Sequence, residues 1–309
     1  MATFIARRLV FAAFVVWGAV TVIFVIVRLV PGDPAAVMLG PSATADQVAA
    51  LRARMGLDQT FLTQYADYLG SVLRLDFGTS LRLGIPASDA VLQHAPVTAG
   101  LGLAALAIAL LVSFPLGIRA ARSPGSPADV TIRLGSLLGQ NLPTFWVGIM
   151  LLLVFARTLR VLPSQGADSW TNYILPAVTL SLPLIGTIVR LVRGGLLDVL
   201  TEPYVQAARA KGLRSRSVLY GHAVPNMLIP LVTVVGLMLG DLLGGLVLVE
   251  IVFSWPGLGR LLVDAILARD YPLVQAAVAF VALIYVLINL VVDILYGYLD
   301  PRVRLEATT

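Results

Sequence analysis

The chain has 309 residues, 58% of them hydrophobic and 13% charged, with a formal net charge of +5 and a mean hydropathy of +0.90. Soluble domains carry about 25% charged residues, so lipid is the solvent for much of this surface. The absence of cysteine excludes disulfides, thiolate metal sites and cysteine nucleophiles, and His94 and His222 lie too far apart in sequence to form a His-rich metal motif. The basic residues are arginines apart from Lys211, and they lack the clustered face with stacking aromatics that nucleic acid requires.

A helix crosses the hydrocarbon core with about 20 mainly apolar residues, and six stretches meet that length. The first, Leu9 to Val30, follows Arg7 and Arg8. It is longer than a signal-peptide core and is followed by Pro31 rather than an A-x-A-like site, so it is expected to be a retained helix. Between Pro31 and Ala95, Thr44 with Gln47 predicts a capping box. Val48, Leu51 and Met55 give helical spacing up to a stop at Gly56, and a second helix is expected from Phe61 to Leu73. Asp76 to Ser80 reads as a turn. Two readings of this layer stay open: a cover or docking surface for an external protein, and a small cap packed on helix ends.

The second stretch runs from Val97 to Ile118, between Pro96 and Arg119. The third runs from Leu134 to Ala156, with Gln140 and Asn141 inside it, and the fourth from Ser169 to Val189. Next comes a basic, helix-prone segment, Glu202 to Asn226. Thr201 is expected to cap its first helix, Pro203 to sit in the first turn, Glu202 to complement the dipole and Gly212 to stop it. Ser215 is expected to cap a second helix. Ala207 and Ala208 leave a shallow face that another protein can approach closely. Arg209, Lys211, Arg214 and Arg216 flank that face with charge suited to an acidic partner or anionic headgroups. A solvated basic loop is the plain alternative.

The fifth stretch, Ala223 to Val249, contains Asp241. The sixth, Leu273 to Tyr298, contains Asn289 and Asp293. Polar groups at such depth are candidates for a translocation path, foremost Asp241, with Asn141 and Asn289, or else for hydrogen bonds between helices. Pro176, Pro183, Pro225 and Pro230 are expected to kink or start helices. The loop 250–272 carries Trp255, Pro256 and Gly257 ahead of a short amphipathic helix, which suits an outer gate or an interfacial anchor. The basic residues favour both termini on the cytoplasmic side.

Several motifs together resemble one family. ARAKGL at Ala208 to Leu213, followed by HAVPN as a turn, is similar to the coupling loop of permease subunits in ABC importers. ARRL at Ala6, LVPGDP at Leu29, DFGTS at Asp76, LPTFWVG at Leu142, EIVFSWPGLGRLLVDAILARDYP at Glu250 and DPRVR at Asp300 resemble the B-type permease of the dipeptide, oligopeptide and nickel transport family. Gln206 departs from the glutamate often found at the start of the coupling pattern, which leaves the role of Glu202 open. The resemblance implies an all-α membrane protein of six transmembrane helices, with a small helical extracytoplasmic region and a cytoplasmic coupling helix. The layout is then 1–30 for the first helix, 31–95 for the extracytoplasmic region and 96–309 for the core. The coupling loop lies at about 198–222 and a gate-like outer loop at 250–272.

The resemblance further implies a non-catalytic subunit of the prokaryotic cell membrane that imports peptides or similar small solutes. Its partners would be a second homologous permease, two ATPase subunits and an extracytoplasmic substrate-binding protein. No cofactor is bound by this chain; ATP and Mg belong to the ATPases, whose groove would take Glu202, Tyr204, Ala207, Ala208, Lys211 and Gly212. In agreement, the sequence has no G-x-x-x-x-G-K-[ST] P-loop. An ion-coupled secondary transporter is the alternative, but no internal repeat supports it. An intramembrane serine hydrolase would need a Ser–His pair and a G-x-S-x-G elbow, which the sequence does not offer.

Overall fold

A computed structural model describes residues 2–29, 34–40, 43–54 and 56–299. Most of the LVPGDP motif, Met55 and the Asp300–Arg304 tail fall outside the described residues. Among those described, the chain is helical: α1 (Ala2–Leu29), α2 (Pro34–Leu39), α3 (Ala45–Arg54), α4 (Phe61–Arg74), α5 (Ala87–Arg122), α6 (Pro127–Asn141), α7 (Thr144–Leu151), α8 (Trp170–Leu200), α9 (Pro203–Ala210), α10 (Ser215–Val218), α11 (Val224–Val252), α12 (Leu258–Leu267) and α13 (Tyr271–Leu299). Two π-helical turns, Leu152–Thr158 and Leu219–Ala223, extend α7 and join α10 to α11. One unit joins residues 2–5 and Ala99–Trp255 with the described residues from Ile288 onward; the other joins Ala6–Thr98 to Pro256–Leu287.

α1, α5, α8, α11 and α13 are each long and apolar enough to cross a membrane. The third expected span is not one helix. α6 stops at Asn141, Leu142 turns extended (φ −72°, ψ 134°), and α7 starts after Pro143 with a bend of 100° between the two parts. The cause is local: Pro143 has no N–H for the ladder and its ring pushes Leu142 out of the helical region. Other ends also shift. α5 begins at Ala87 and carries Pro96 within it, because Ala87, Ala90 and Val91 already form a buried face. α8 continues past Arg190 to Leu200, since Val192 and Leu196 continue its buried stripe.

In the first unit α8 is the common neighbour of α6, α7 and α11. Apolar side chains gain little by leaving lipid for each other, so close approach and polar bonds hold such helices together. A Cβ on Gly186 would lie 2.5 Å from the Ser136 carbonyl oxygen of α6, and one on Gly195 would lie 2.7 Å from Met227 Cγ of α11. Pro176 and Pro183 lie inside α8, and the hydroxyls of Thr179 and Thr187 donate to the Leu175 and Pro183 carbonyls at 2.8 and 3.3 Å. Arg193 of α8 forks onto buried Asp129 of α6, with Nε donating to Oδ1 at 2.6 Å and Nη2 to Oδ2 at 2.9 Å. The Gly125 amide also donates to Oδ2, at 2.9 Å, and Ser126 caps α6 by accepting from the Asp129 amide.

In the second unit, the Thr44–Gln47 capping box forms reciprocally: the Thr44 amide donates to Gln47 Oε1 at 3.0 Å and the Gln47 amide to Thr44 Oγ1 at 3.3 Å. Gly56 takes φ +64° after α3. α4 is capped by Thr60 and lays Tyr65 and Tyr68 against Phe24 of α1, with ring centroids 5.1 and 5.2 Å apart; such pairs contribute about 0.5–1.5 kcal/mol each beyond area burial. Buried Asp270 caps α13 by accepting from the Leu273 amide (3.2 Å). Its other oxygen accepts from Ser80 Oγ at 2.6 Å and the Arg82 amide at 3.2 Å, so the DFGTS turn is tied to the start of α13.

Two outcomes follow from the α8 contacts. Gly186→Leu should destabilise the purified chain by about 1–3 kcal/mol or more, since the clash is with backbone, read as a lower thermal midpoint in detergent. Asp129→Ala and Arg193→Ala should each lower that midpoint by stranding the partner's charge, and the double variant should lose less than the sum; strict additivity would show that the fork carries no coupling.

Candidate functional site

The segment between α8 and α11 is built as a braced knob. Glu202, not Thr201, occupies the N-cap position of α9, in extended conformation and without a side-chain cap bond, and Pro203 fills the first helical position. Thr201 instead closes α8, its hydroxyl donating to the Asp198 carbonyl at 2.7 Å, because its backbone is still helical (φ −90°, ψ −10°). Gln206 Nε2 donates to the Thr201 carbonyl at 3.0 Å and ties α9 back across the corner.

The helix ends in a Schellman arrangement. The Gly212 amide donates to the Arg209 carbonyl at 3.0 Å and the Leu213 amide to the Ala208 carbonyl at 3.4 Å, with Gly212 at φ +78°. This left-handed conformation is what calls for glycine, and a Cβ there would project into open space. Ser215 is not the next cap; Arg214 holds that position, without a side-chain cap bond. The HAVPN stretch is not a turn either. The chain stays helical through Leu219–Ala223 into α11, and the wider π register, with the Val224 amide bonded to the Leu219 carbonyl, accommodates Pro225, which has no amide hydrogen to donate.

α9 has two distinct faces. Val205 and Ala208 point inward and pack with Val218, Val199 and Leu200. Ala208 is only 7% exposed, so the two alanines do not share one outer face. The outward face carries Tyr204 (43% exposed), Ala207 and Lys211, at the spacing that aligns side chains on one side of a helix. Glu202, Arg209, Arg214 and Arg216 are exposed around it. The result is a small-residue surface with an aromatic at one end and cations at the other, on a helix whose opposite side is anchored.

The remaining candidates are dispersed. Asp241 is exposed on α11, in a stripe with Leu237, Gly244, Leu248 and Ile251, while Leu242 and Leu246 are buried on the other side. Asn141 is exposed and its Nδ2 donates to the Leu137 carbonyl at 2.7 Å; Asn289 is half-buried on α13. Trp255 is fully buried in the first unit, edge-to-face with Tyr173 at 4.5 Å, and Ser254 before it adopts φ 51°. Pro256 (exposed) and Gly257 (buried) begin the run that belongs to the second unit, so the three gate candidates do not make up one described site. Sequence reasoning missed Asp129. The available signal was Ser126-Pro127-Ala128-Asp129, in which a cap, an N1 proline and an acid in the first turn mark a helix start.

The chain matches the family described as binding-protein-dependent transport system inner membrane component over residues 113–305, and the N-terminal model of that transport-system component over residues 1–99. It is 39% identical over 312 residues to a probable peptide ABC transporter permease protein, y4tP, of Sinorhizobium fredii, covering 98% of this chain and 100% of that one. It is 42% identical over 285 residues to the glutathione transport system permease protein GsiC of Salmonella typhimurium, covering 91% and 92%. Among solved structures, a chain of the inward-facing MetNI methionine ABC transporter superposes with a TM-score of 0.56 at 17% identity, covering 68% of this chain and 96% of that one, a likeness of fold. These relatives support the ATP-driven reading and not the ion-coupled one. The chain belongs to the family of binding-protein-dependent transport system inner membrane components, the multi-pass, non-catalytic permease subunits of ABC importers.

Proposed function

We propose that this permease imports peptides or similar small solutes and that α9 is its coupling helix, seated in a groove of a separate ATPase subunit. The observation that carries this reading is the two-faced build of α9: an outward surface of Tyr204, Ala207 and Lys211 backed by an inward apolar brace. A solvated basic loop needs no such brace. Small Ala207 lets a partner approach closely, and Arg209, Arg214 and Arg216 suit an acidic rim on it. On this reading both termini and α9 are cytoplasmic, in the cell membrane of a prokaryote. The ATPases bind ATP and Mg, and closing around nucleotide moves α9 through differential contacts in the two states.

The peptide assignment is supported by the relatives' names, which specify peptide and glutathione transport. A second homologous permease completes the path, an external binding protein delivers the solute, and two ATPase subunits drive the cycle. The exposed stripe of α11 supports the first of these, because an aspartate flanked by Leu237, Leu248 and Ile251 on an apolar helix needs a protein or water neighbour rather than lipid. Asp241, with Asn141 and Asn289, is proposed for the path, and Trp255, Pro256 and Gly257 for an outer gate.

Co-expression with the cognate subunits and uptake of a labelled peptide tests this. Ala207→Trp should cut ATP-dependent uptake about tenfold or more, equivalent to about 1.4 kcal/mol of lost docking, with membrane insertion and thermal midpoint unchanged. Gly212→Trp should abolish uptake with insertion intact, whereas Gly212→Asn, which tolerates the left-handed conformation, should retain most of it. Normal uptake by both tryptophan variants would refute the coupling role. Asp241→Leu should reduce uptake while leaving co-purification of the ATPases unaltered.

A further inference from the structure

The unit made of Ala6–Thr98 and Pro256–Leu287 carries a half-open cavity of ≈ 670 Å³. It is walled by the last turn of α1, the turn before α4, one side of α4, the loop after it and the first turn of α13. The α4 wall is polar throughout: Gln64, Asp67, Tyr68 and Ser71 recur at i, i+3, i+4 and i+7. Asp67 is exposed at the mouth, Gln64 and Ser71 are half-buried, and Tyr68 is buried.

Arg28 is fixed within this wall. Its Cζ lies 3.6 Å from the centroid of the Phe24 ring, and its Nε donates to Gln64 Oε1 at 2.9 Å. Gln64 is itself locked, its Nε2 donating to the carbonyls of Leu57 (3.2 Å) and Gln59 (2.9 Å). The guanidinium is thus held by face and edge, and among the described residues its two Nη groups meet no hydrogen-bond acceptor. A guanidinium ordered in advance is a fork for a carboxylate or phosphate.

Tyr68 supplies the second observation. It is 8% exposed, lines the cavity, and among the described residues its hydroxyl has no hydrogen-bond partner. Its neighbour Tyr65, on the same helix, is bonded to Thr21 Oγ1 at 2.7 Å. A buried hydroxyl without a partner is costly to keep, and burial pushes the Tyr68 pKa up, so it stays a proton donor. Asp67 completes the set, one helical turn from the glutamine that orients Arg28. Arg28 closes the apolar stretch Ala6–Leu29, and Tyr271 and Pro272 open the stretch Tyr271–Ile294. The cavity therefore sits where membrane spans end, at headgroup level.

We propose that this cavity binds a zwitterion: a phosphate or carboxylate group held by the Arg28 fork and the Tyr68 hydroxyl, with an ammonium group facing Asp67. Phosphatidylethanolamine headgroups and short free peptides share this chemistry. The inference is independent of the coupling role of α9.

The test uses the full chain in phosphatidylglycerol nanodiscs. One arm adds phosphatidylethanolamine and reads retained lipid by native mass spectrometry; the other adds alanyl-alanine and reads heat by calorimetry. Saturable one-site binding in either arm, weakened about tenfold by Tyr68→Phe and by Asp67→Asn, supports the proposal, and the arm that responds names the source. Tyr68→Phe removes only the hydroxyl that lacks a partner, so its thermal midpoint should match or exceed that of the parent. Arg28→Lys keeps the charge but not the fork and should weaken binding likewise. No saturable binding in either arm, or equal binding by the parent and Tyr68→Phe, overturns it.

Discussion

Lipid withholds from this protein the force that packs soluble cores. An apolar helix gains little by exchanging acyl chains for another apolar helix, so contacts in the first unit must come from close approach and from polar bonds. α8 concentrates both. Gly186 lets α8 approach the α6 backbone and Gly195 lets it approach Met227 of α11, and Arg193 clasps Asp129. More than half of its apolar window (56%) is buried, against 28% for the window in α11. α8 then runs to Leu200 and passes into α9 through only Thr201 and Glu202. On the proposed coupling role, a load applied to α9 would reach the bundle through its chain link to α8 and through its packing on Val218 of α10.

The knob itself is small, and an isolated helix of eight residues would not hold its shape in water. Three local devices make it rigid: proline at its first position, the Schellman closure at Gly212 and the inward Val205–Ala208–Val218 cluster. Each acts on a different part of the helix, so none substitutes for another. The outward face is consequently presented by a scaffold whose conformation is settled before any partner arrives, which lowers the ordering cost of docking.

Where the chemistry was local, the sequence was readable. The Thr44–Gln47 box, the glycine stops at Gly56 and Gly212, and the proline start of α9 depend on side chains a few residues apart, and the structure reproduces them. Where the outcome depends on which way a helix faces, the sequence was silent. Ala207 and Ala208 look equivalent in a string, yet the 100° step between them along a helix puts one outside and one inside. The break at Leu142–Pro143 was hidden for a different reason: hydropathy runs continuously from Leu134 to Ala156, and an apolar average cannot register a missing amide. The helix start at Ser126–Asp129 was readable locally, but the Arg193 fork on Asp129 was not, because its partner is 64 residues away.

Polar satisfaction separates two kinds of buried hydroxyl in this chain. Buried Ser80 and Thr98 and half-buried Tyr65 each meet a partner, and Asp270 accepts three hydrogen bonds. Among the described residues two buried hydroxyls are left over, those of Tyr68 and Thr233. They are not equivalent. A threonine in a helix can turn its hydroxyl onto a carbonyl of the preceding turn, so its vacancy costs a bond rotation to fill. A phenol is carried at the far end of a rigid ring and cannot reach its own backbone; only a group brought from elsewhere can pair with it. In a unit that bonds Tyr65 one turn earlier, a group entering the cavity that accepted from the Tyr68 hydroxyl would remove the cost of leaving it unpaired.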